Sequence, residues 1–408
     1  MYIRITSNAE GGVMAEILSG CIGEQTGSST VTSGSDANRK TYTEEDEDIT
    51  FYNCSVPDFA EAELERLYSS VMSTWARYSI YESAPDASTY IVERGGIVRT
   101  LLLFRKNEKN IKVYNEQITL TQSEIADFVR RVLAVYPSVS RVSFYAIDSD
   151  ISALSYPHVV RECLEDIMLK LPDTEDEYVK RLGHNTRAGI RRSHRQLLRD
   201  HPTFRFDVSV RDAVNERQIR EIICFAEARM CVKKQVSYHT EETTNKLIKM
   251  TRKYGVVGIA TIDGIMYAGM IGYRLGADYF LEVGAHDPTM DKYRLGTVCN
   301  YLSILDAITR GVRQYHFGWG PCDYKYRLLG KHKKLYRLEI YRTGLEKYLD
   351  IRYLTYSFLV TEKRKLKIMM RHIENSATEP NRKIARLINT MRIVKHFVKS
   401  KIYSIKNI

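Results

Sequence analysis

Residues 279–319 read YFLEVGAHDPTMDKYRLGTVCNYLSILDAITRGVRQYHFGW, and the fold turns on this stretch. Its apolar and aromatic runs predict a strand over 279–284, a helix over 296–310 and a strand over 314–319. A helix between two strands of this length makes a βαβ unit, with parallel strands and a right-handed crossover. Val298, Leu302, Leu305 and Ile308 fall on one helical face and supply its buried side. The helix start carries Arg294, Gly296 and Thr297, where free backbone N–H groups and the positive dipole end suit a phosphate, although ordinary capping uses the same residues. Gly318 and Gly320 close the second strand and permit a ligand or another backbone to come near.

Upstream, RQIREIICFAEARM (217–230) and a segment after His239 are helical, VVGIATI is a strand, and Asp263-Gly264 turns it into MYAGMIGYRL. An earlier part of the chain has the same order. A helix over 58–71 is followed by TYIVERGGIVRTLLLF with a Gly95-Gly96 hairpin, KVYNE, a helix started by Thr121 and the strand SRVSFYAI. The segments 139–147 and 312–320 align by residue type, which predicts a duplicated domain.

Composition bounds the rest. With 408 residues and 44% apolar content the chain can bury a large core and form two globular units. The absence of a long apolar run and the polar start MYIRITSNAEGG lead us to expect a cytoplasmic protein. Seven cysteines without a CxxC pair argue against a disulfide framework or structural zinc, and no metal is expected. Cys322 has no accompanying His/Asn pattern that would make it a nucleophile. Residues 20–48 are polar and rich in Ser, Thr and Gly, and are expected to be flexible.

The pair formed by LPDTEDEYVKRLGHNTRAGIRRSHRQLLRD (171–200) and YHFGWGPCDYKYRLLG (315–330) resembles the GNAT acyltransferase superfamily. Within it, the chain looks like the acetyltransferases associated with cellulose and other polysaccharide biosynthesis, distantly related to the Fem-type aminoacyl transferases. The resemblance implies an α/β (α+β) fold of tandem GNAT-like domains, each a mixed sheet flanked by helices, with basic helices at the C-terminus. The expected divisions are an N-terminal segment 1–49, a degenerate half 50–165, a basic inter-domain helix region 166–210, a catalytic half 211–345 and amphipathic helices 346–408. It also implies acetyl-CoA or another acyl-CoA as co-substrate, with pantetheine between the two parallel strands and contacts from Val283, Arg294, Gly296, Thr297 and Gly318. Tyr324 matches the tyrosine that protonates the leaving sulfur. Lys325 is placed to stabilise negative charge or orient the acceptor, and Asp323 to fix Lys325 or receive the amine. Tyr293 and Val298 stand where the family's phosphate signature has other residues, so only Gly296 matches it.

Alternation along the strand puts Glu282 and Gly284 on one face and Leu281 and Val283 on the other. Glu282 is therefore the first choice for the base, with His316 and His286 as alternatives. Each also has a structural reading, Glu282 as an ion-paired carboxylate and His316 as a hydrogen-bonded core histidine.

The net charge of +11 is uneven: from Thr361 to the end there are 13 Lys/Arg against 3 Asp/Glu. A nearly neutral body disfavours specific nucleic-acid binding. Lys180–Arg199 is expected to be one helix, either a solvated face or a cationic wall in which Arg187, Arg191, Arg192 and Arg195 hold the phosphates of a small-molecule or lipid-linked sugar acceptor. In the tail, Ile384, Leu387, Ile388, Met391, Val394 and Val398 form an apolar stripe with basic flanks. That pattern suits an anionic membrane surface at the inner face of the cytoplasmic membrane, or docking on the protein's own core. The function expected is transfer of an acyl group to an amino sugar or related amine, or a hydroxyl, in surface polysaccharide biosynthesis. Alternatives are a Fem-like aminoacyl transferase using charged tRNA and an inactive membrane-associated scaffold.

Overall fold

The computed structural model describes residues 39–44, 47–82, 86–152, 154–232, 239–320 and 322–375. The tail stripe after Arg382 and most of the segment expected to be flexible lie outside these residues.

The first half comprises β1 (Arg39–Glu44), β2 (Glu47–Tyr52), α1 (Ala60–Tyr68), α2 (Trp75–Tyr81), β3 (Ser88–Arg94), β4 (Ile97–Asn107), β5 (Asn110–Val113), α3 (Gln122–Val135), β6 (Arg141–Ile147) and β7 (His158–Lys170). Two helices follow, α4 (Glu175–Arg181) and α5 (His184–Asp200). The second half then comprises β8 (Arg205–Val210), α6 (Glu216–Val232), α7 (Glu241–Tyr254), β9 (Gly255–Ile262), β10 (Ile265–Leu275), β11 (Asp278–His286), α8 (Leu295–Thr309), β12 (Gln314–His316), α9 (Asp323–Arg327) and β13 (Lys331–Tyr341). The chain leaves through α10 (Gly344–Leu349) and α11 (Ile351–Asn375).

The 13 strands among the described residues form one sheet, in the order β1-β2-β3-β4-β5-β6-β13-β7-β12-β11-β10-β9-β8. Each half contains a parallel pair bridged by a helix, β5/β6 across α3 and β11/β12 across α8. The centre is an exchange. β7, which ends the first half, pairs with β12 of the second, while β13 pairs with β6 of the first, and β7 and β13 lie antiparallel between them. The halves are thus tied through backbone hydrogen bonds.

Four expectations need correction. Residues 39–44 and 47–52, partly assigned to the flexible segment, form the antiparallel pair β1/β2, because Ile49 and Phe51 alternate into the core against β3 and α3. The single helix expected over 180–199 breaks at Leu182-Gly183, where Leu182 is extended and turned into the core. The boundary drawn at 165/166 cuts through β7, and β8 belongs to the second half's sheet rather than to an inter-domain region. β12 ends at His316, though Phe317 N still donates to Ile167 O on β7.

Candidate active site

The site begins where the parallel pair stops. β11 and β12 are bonded only from Asp278/Gln314 to Phe280/His316. Beyond that point Leu281, Glu282 and Gly284 on one side and Phe317, Gly318 and Trp319 on the other line a cleft of about 160 Å³. Gly318 has φ +69°, a conformation that glycine adopts without strain, while a Cβ there would make only ordinary contact with Leu281 O, at 3.5 Å.

A β-bulge sits at the same place. Leu281 pairs with Gly272 and Val283 with Ile271, leaving Glu282 without a partner on β10. A bulge turns two successive side chains to one face. Glu282 and Val283 therefore share the side occupied by Phe280, while Leu281 and Gly284 face α8, which overturns the simple alternation. Val283 packs into the apolar cluster beneath α6 and α7. The Glu282 carboxylate has no hydrogen bond or ion pair among the described residues, so the paired structural reading does not hold. Its charge adds to the burial that pushes the Tyr81 phenol up to about 12.

α8 starts opposite the cleft. Arg294 precedes it in the left-handed conformation, φ 52°, and no side chain caps the helix. Gly296 has a packing reason: a Cβ would lie 2.8 Å from Nδ1 of His286, whose Nε2 is 2.7 Å from Asp291 Oδ1. His286 is buried beneath the helix start. Arg294 and Thr297 instead line a cleft of about 350 Å³, closed by α5 on one side and by Tyr324 and Arg327 on the other. The α5 residues facing it are Asn185, Thr186, Gly189, Ile190 and Ser193. Arg191, Arg192 and Arg195 are exposed and Arg187 half-buried, and none of the four lines this cleft, so the expected arginine wall is not formed there.

Tyr324 lines both clefts. Its ring meets Phe317 edge-on at 6.3 Å, and burial pushes its phenol well above the ordinary value, keeping it protonated. Lys325 is tied down: its Nζ donates to Gly318 O at 3.1 Å and Trp319 O at 3.0 Å. Burial lowers its pKa, partly offset by Cys322, Asp166 and Glu165. Asp323 is exposed and makes no bond to Lys325, so the expected pair is replaced by contacts to backbone carbonyls. The turn is held from beneath as well, because Gly320 N donates to Glu165 Oε1 at 3.1 Å while Arg364 of α11 pairs with the other carboxylate oxygen.

His316 stacks on Phe280 at 4.3 Å, and its Nδ1 lies 2.5 Å from Asp166 Oδ2. Asp166 was missed in the sequence because it stands on β7, in the other half, inside the mixed string HVVRECLEDIMLK. Buried Glu165 beside it was missed for the same reason. Among the described residues no cluster of three or more His, Cys, Asp or Glu is arranged to hold a metal ion.

Known proteins agree with this geometry at the level of fold. Residues 184–326 match the acetyltransferase (GNAT) domain. The second half carries a GNAT-like fold, and the first repeats its βαβ topology. FemX superposes with a TM-score of 0.54 at 10% identity, covering 72% of this chain and 98% of FemX. L-PGS from Bacillus licheniformis reaches a TM-score of 0.42 at 12% identity, covering 64% of this chain and 86% of that one. A tandem GNAT protein from the clavulanic acid biosynthesis pathway reaches 0.35 at 11% identity, covering 71% of this chain and 98% of that one. No curated protein matches the sequence. The GNAT match spans α5 to α9, and so contains the uncapped α8 start, the interrupted β11/β12 pair and Tyr324.

Proposed function

We propose that the protein is an acyl-CoA-dependent N-acyltransferase that acts on an amino sugar or related amine during assembly of a surface polysaccharide. The observation that carries this reading is the position of Tyr324 between two clefts, one at an uncapped helix start and one at an interrupted parallel pair. Free N–H groups at the start of α8, with Arg294 and Arg327, suit the pyrophosphate of CoA. The interruption leaves β11 backbone groups for a pantetheine arm and for the thioester oxygen. The protonated Tyr324 phenol serves as the acid for the departing thiolate. Lys325 holds the Gly318–Gly320 turn that shapes the floor. Glu282 and His316 are the proton acceptors on the far side.

Mass spectrometry of ligands retained by the purified protein, with calorimetry using acetyl-CoA and longer acyl-CoAs, tests the reading. Saturable binding of an acyl-CoA is expected. No binding of any acyl-CoA by the folded protein would sink it and favour an aminoacyl donor.

The working place we assign is the face of an anionic membrane. Ten of the 18 exposed large apolar side chains among the described residues belong to α10 and α11, including Leu345, Tyr348, Leu349, Tyr356, Leu359 and Leu366. Exposed Arg352, Lys363 and Lys365 lie among them. Among the described residues no helix is long and apolar enough to cross a membrane, so contact would be interfacial. Sedimentation with anionic vesicles should fall as salt is raised and should fall further for Leu345→Ser/Leu349→Ser. Equal sedimentation of that variant and the wild type would remove α10 from the contact.

A further inference from the structure

A third cavity, of about 220 Å³, lies along the seam between the halves. Gln117 and Thr119 of the first half face Asp278, Gln314 and His316 of the second across it, with Asp166 of the exchanged β7 at its inner end. It shares Gln117, Asp166, Phe280 and His316 with the acyl cleft, so the two meet at the imidazole. Strand register explains the gathering. Asp278 and Phe280 on β11, Gln314 and His316 on β12, and Asp166 opposite Lys333 of β13 all project from one side of the sheet.

The polar groups here are unusually placed. Asp166, Asp278 and His316 are 2%, 8% and 9% exposed. Among the described residues, His316 Nε2 and Asp166 Oδ1 are buried without a hydrogen-bond partner. Buried polar atoms normally find partners, and an exception calls for an occupant or a chemical role. Asp166 Oδ2 accepts the Nδ1–H of His316, which fixes the tautomer and leaves the Nε2 lone pair facing the cavity. Lys333 at the rim is neutralised by Asp148 at 2.7 Å, so the cavity retains negative character.

We propose that this seam is the acceptor site, that it takes an ammonium-bearing polyhydroxylated molecule, and that His316, positioned by Asp166, removes the proton that frees the amine. The inference rests on the acyl-CoA reading above for its donor. The amide and hydroxyl groups suit sugar hydroxyls, and the two buried carboxylates suit the cation. In the reaction, Nε2 takes one proton from the ammonium, and the freed lone pair forms the C–N bond at the thioester carbonyl. The C–S bond breaks, and sulfur leaves with the Tyr324 proton. The phenolate recovers the second nitrogen-bound proton, and the proton on His316 passes to water through the seam. His316 is a catalytic residue in this scheme, and Asp166 a positioning one.

The test uses D-glucosamine as probe, with D-glucose lacking the amine and cyclohexylamine lacking the hydroxyls. Saturation-transfer NMR on the full chain should give glucosamine the strongest signal, weakened about tenfold by Asp278→Asn. His316→Gln should keep glucosamine binding but lower kcat for acetyl-CoA-dependent thiol release about 100-fold, within the usual range for losing a general base. Its deficit, and the smaller one of Asp166→Asn, should shrink as pH rises past the amine's own pKa, because free amine no longer needs a base. The other charged groups facing this imidazole are Asp278 and Glu282 on β11, Lys333 on β13 and Lys325 on α9, so Glu282→Gln runs in parallel, and a pH-dependent deficit in that variant as deep as in His316→Gln would assign the base to Glu282 and overturn the proposal. Glucosamine binding no better than both controls, or a pH-independent deficit in His316→Gln, would overturn the proposal. Calorimetry with acetyl-CoA reads the donor site separately: absence of that binding alone condemns the donor reading, while undiminished glucosamine signal in Asp278→Asn condemns only the seam.

Discussion

The βαβ unit of the first half and that of the second have the same topology, yet only one leaves room for a ligand. In the first, β5 and β6 pair from Asn110/Arg141 to Lys112/Ser143, and the chain then closes again through Gln117 N to Ala146 O at 2.8 Å and Asp148 N to Ile118 O at 2.9 Å. Asn115 fills the interval, accepting from Leu103 N at 2.7 Å and donating to Ser73 Oγ at 2.8 Å. α3 begins with a capping box in which Thr121 and Glu124 satisfy each other's backbone N–H groups. In the second, the pairing stops, a bulge follows and no side chain caps α8. An open cleft is thus not a property of the topology. It comes from hydrogen bonds that one copy makes to itself and the other withholds.

The largest effect that would sharpen this contrast is expected at Tyr324, which has no counterpart in the first half. Tyr324→Phe should lower kcat about 100-fold at saturating acetyl-CoA. It should hardly alter the melting temperature, since the hydroxyl has no hydrogen bond among the described residues. A large stability loss with normal turnover in the same thiol-release assay would make the tyrosine structural.

The two helix starts offer a matched pair. Thr297→Glu introduces a carboxylate beside the donor cleft, where the dipole tolerates it but a pyrophosphate does not, so acetyl-CoA affinity should fall at least about tenfold with stability kept. Thr121→Ala should cost about 1 kcal/mol of stability through the lost cap and leave that affinity unchanged. Calorimetry and denaturant titration of both variants would break the comparison if the roles came out reversed.

The smallest effect concerns Lys325. Its lowered pKa means the unfolded chain binds more protons than the folded one between the folded value and the ordinary value near 10.5, so this residue makes stability rise with pH across that window. Lys325→Met should remove that slope. It should also lower stability at neutral pH by leaving two carbonyls without their donor. Identical pH dependence of unfolding in the two proteins would show that Lys325 titrates normally.

Local chemistry was legible in the sequence wherever neighbours decide conformation. Thr121 announces α3, and Gly95-Gly96 and Asp263-Gly264 announce hairpins whose residues all have positive φ. The apolar stripe of α8 was legible too. What escaped depends on partners far along the chain. The bulge at Glu282 arises from register against β10, and a one-residue slip reverses every following side chain. β7 and β13 look too charged to be central strands, because Glu165 and Glu339 are offset by Arg364 and Arg141, residues no local pattern connects to them. Asp166 reaches His316 only through the strand exchange, so half of that dyad could not be seen from the segment that carries the other half.

The exchange also sets an order of events during synthesis. β6 is complete when Ile147 has been added, but its outer edge pairs with β13, whose last residue, Tyr341, lies opposite Arg141. At roughly 5–20 residues per second of translation, that edge waits on the order of ten seconds or more for its partner. Until then it is an unpaired strand edge beside an incomplete core, open to the β13 of any other chain nearby. A ribosome pausing in that interval should therefore yield intertwined dimers, each half closed by its neighbour's strand.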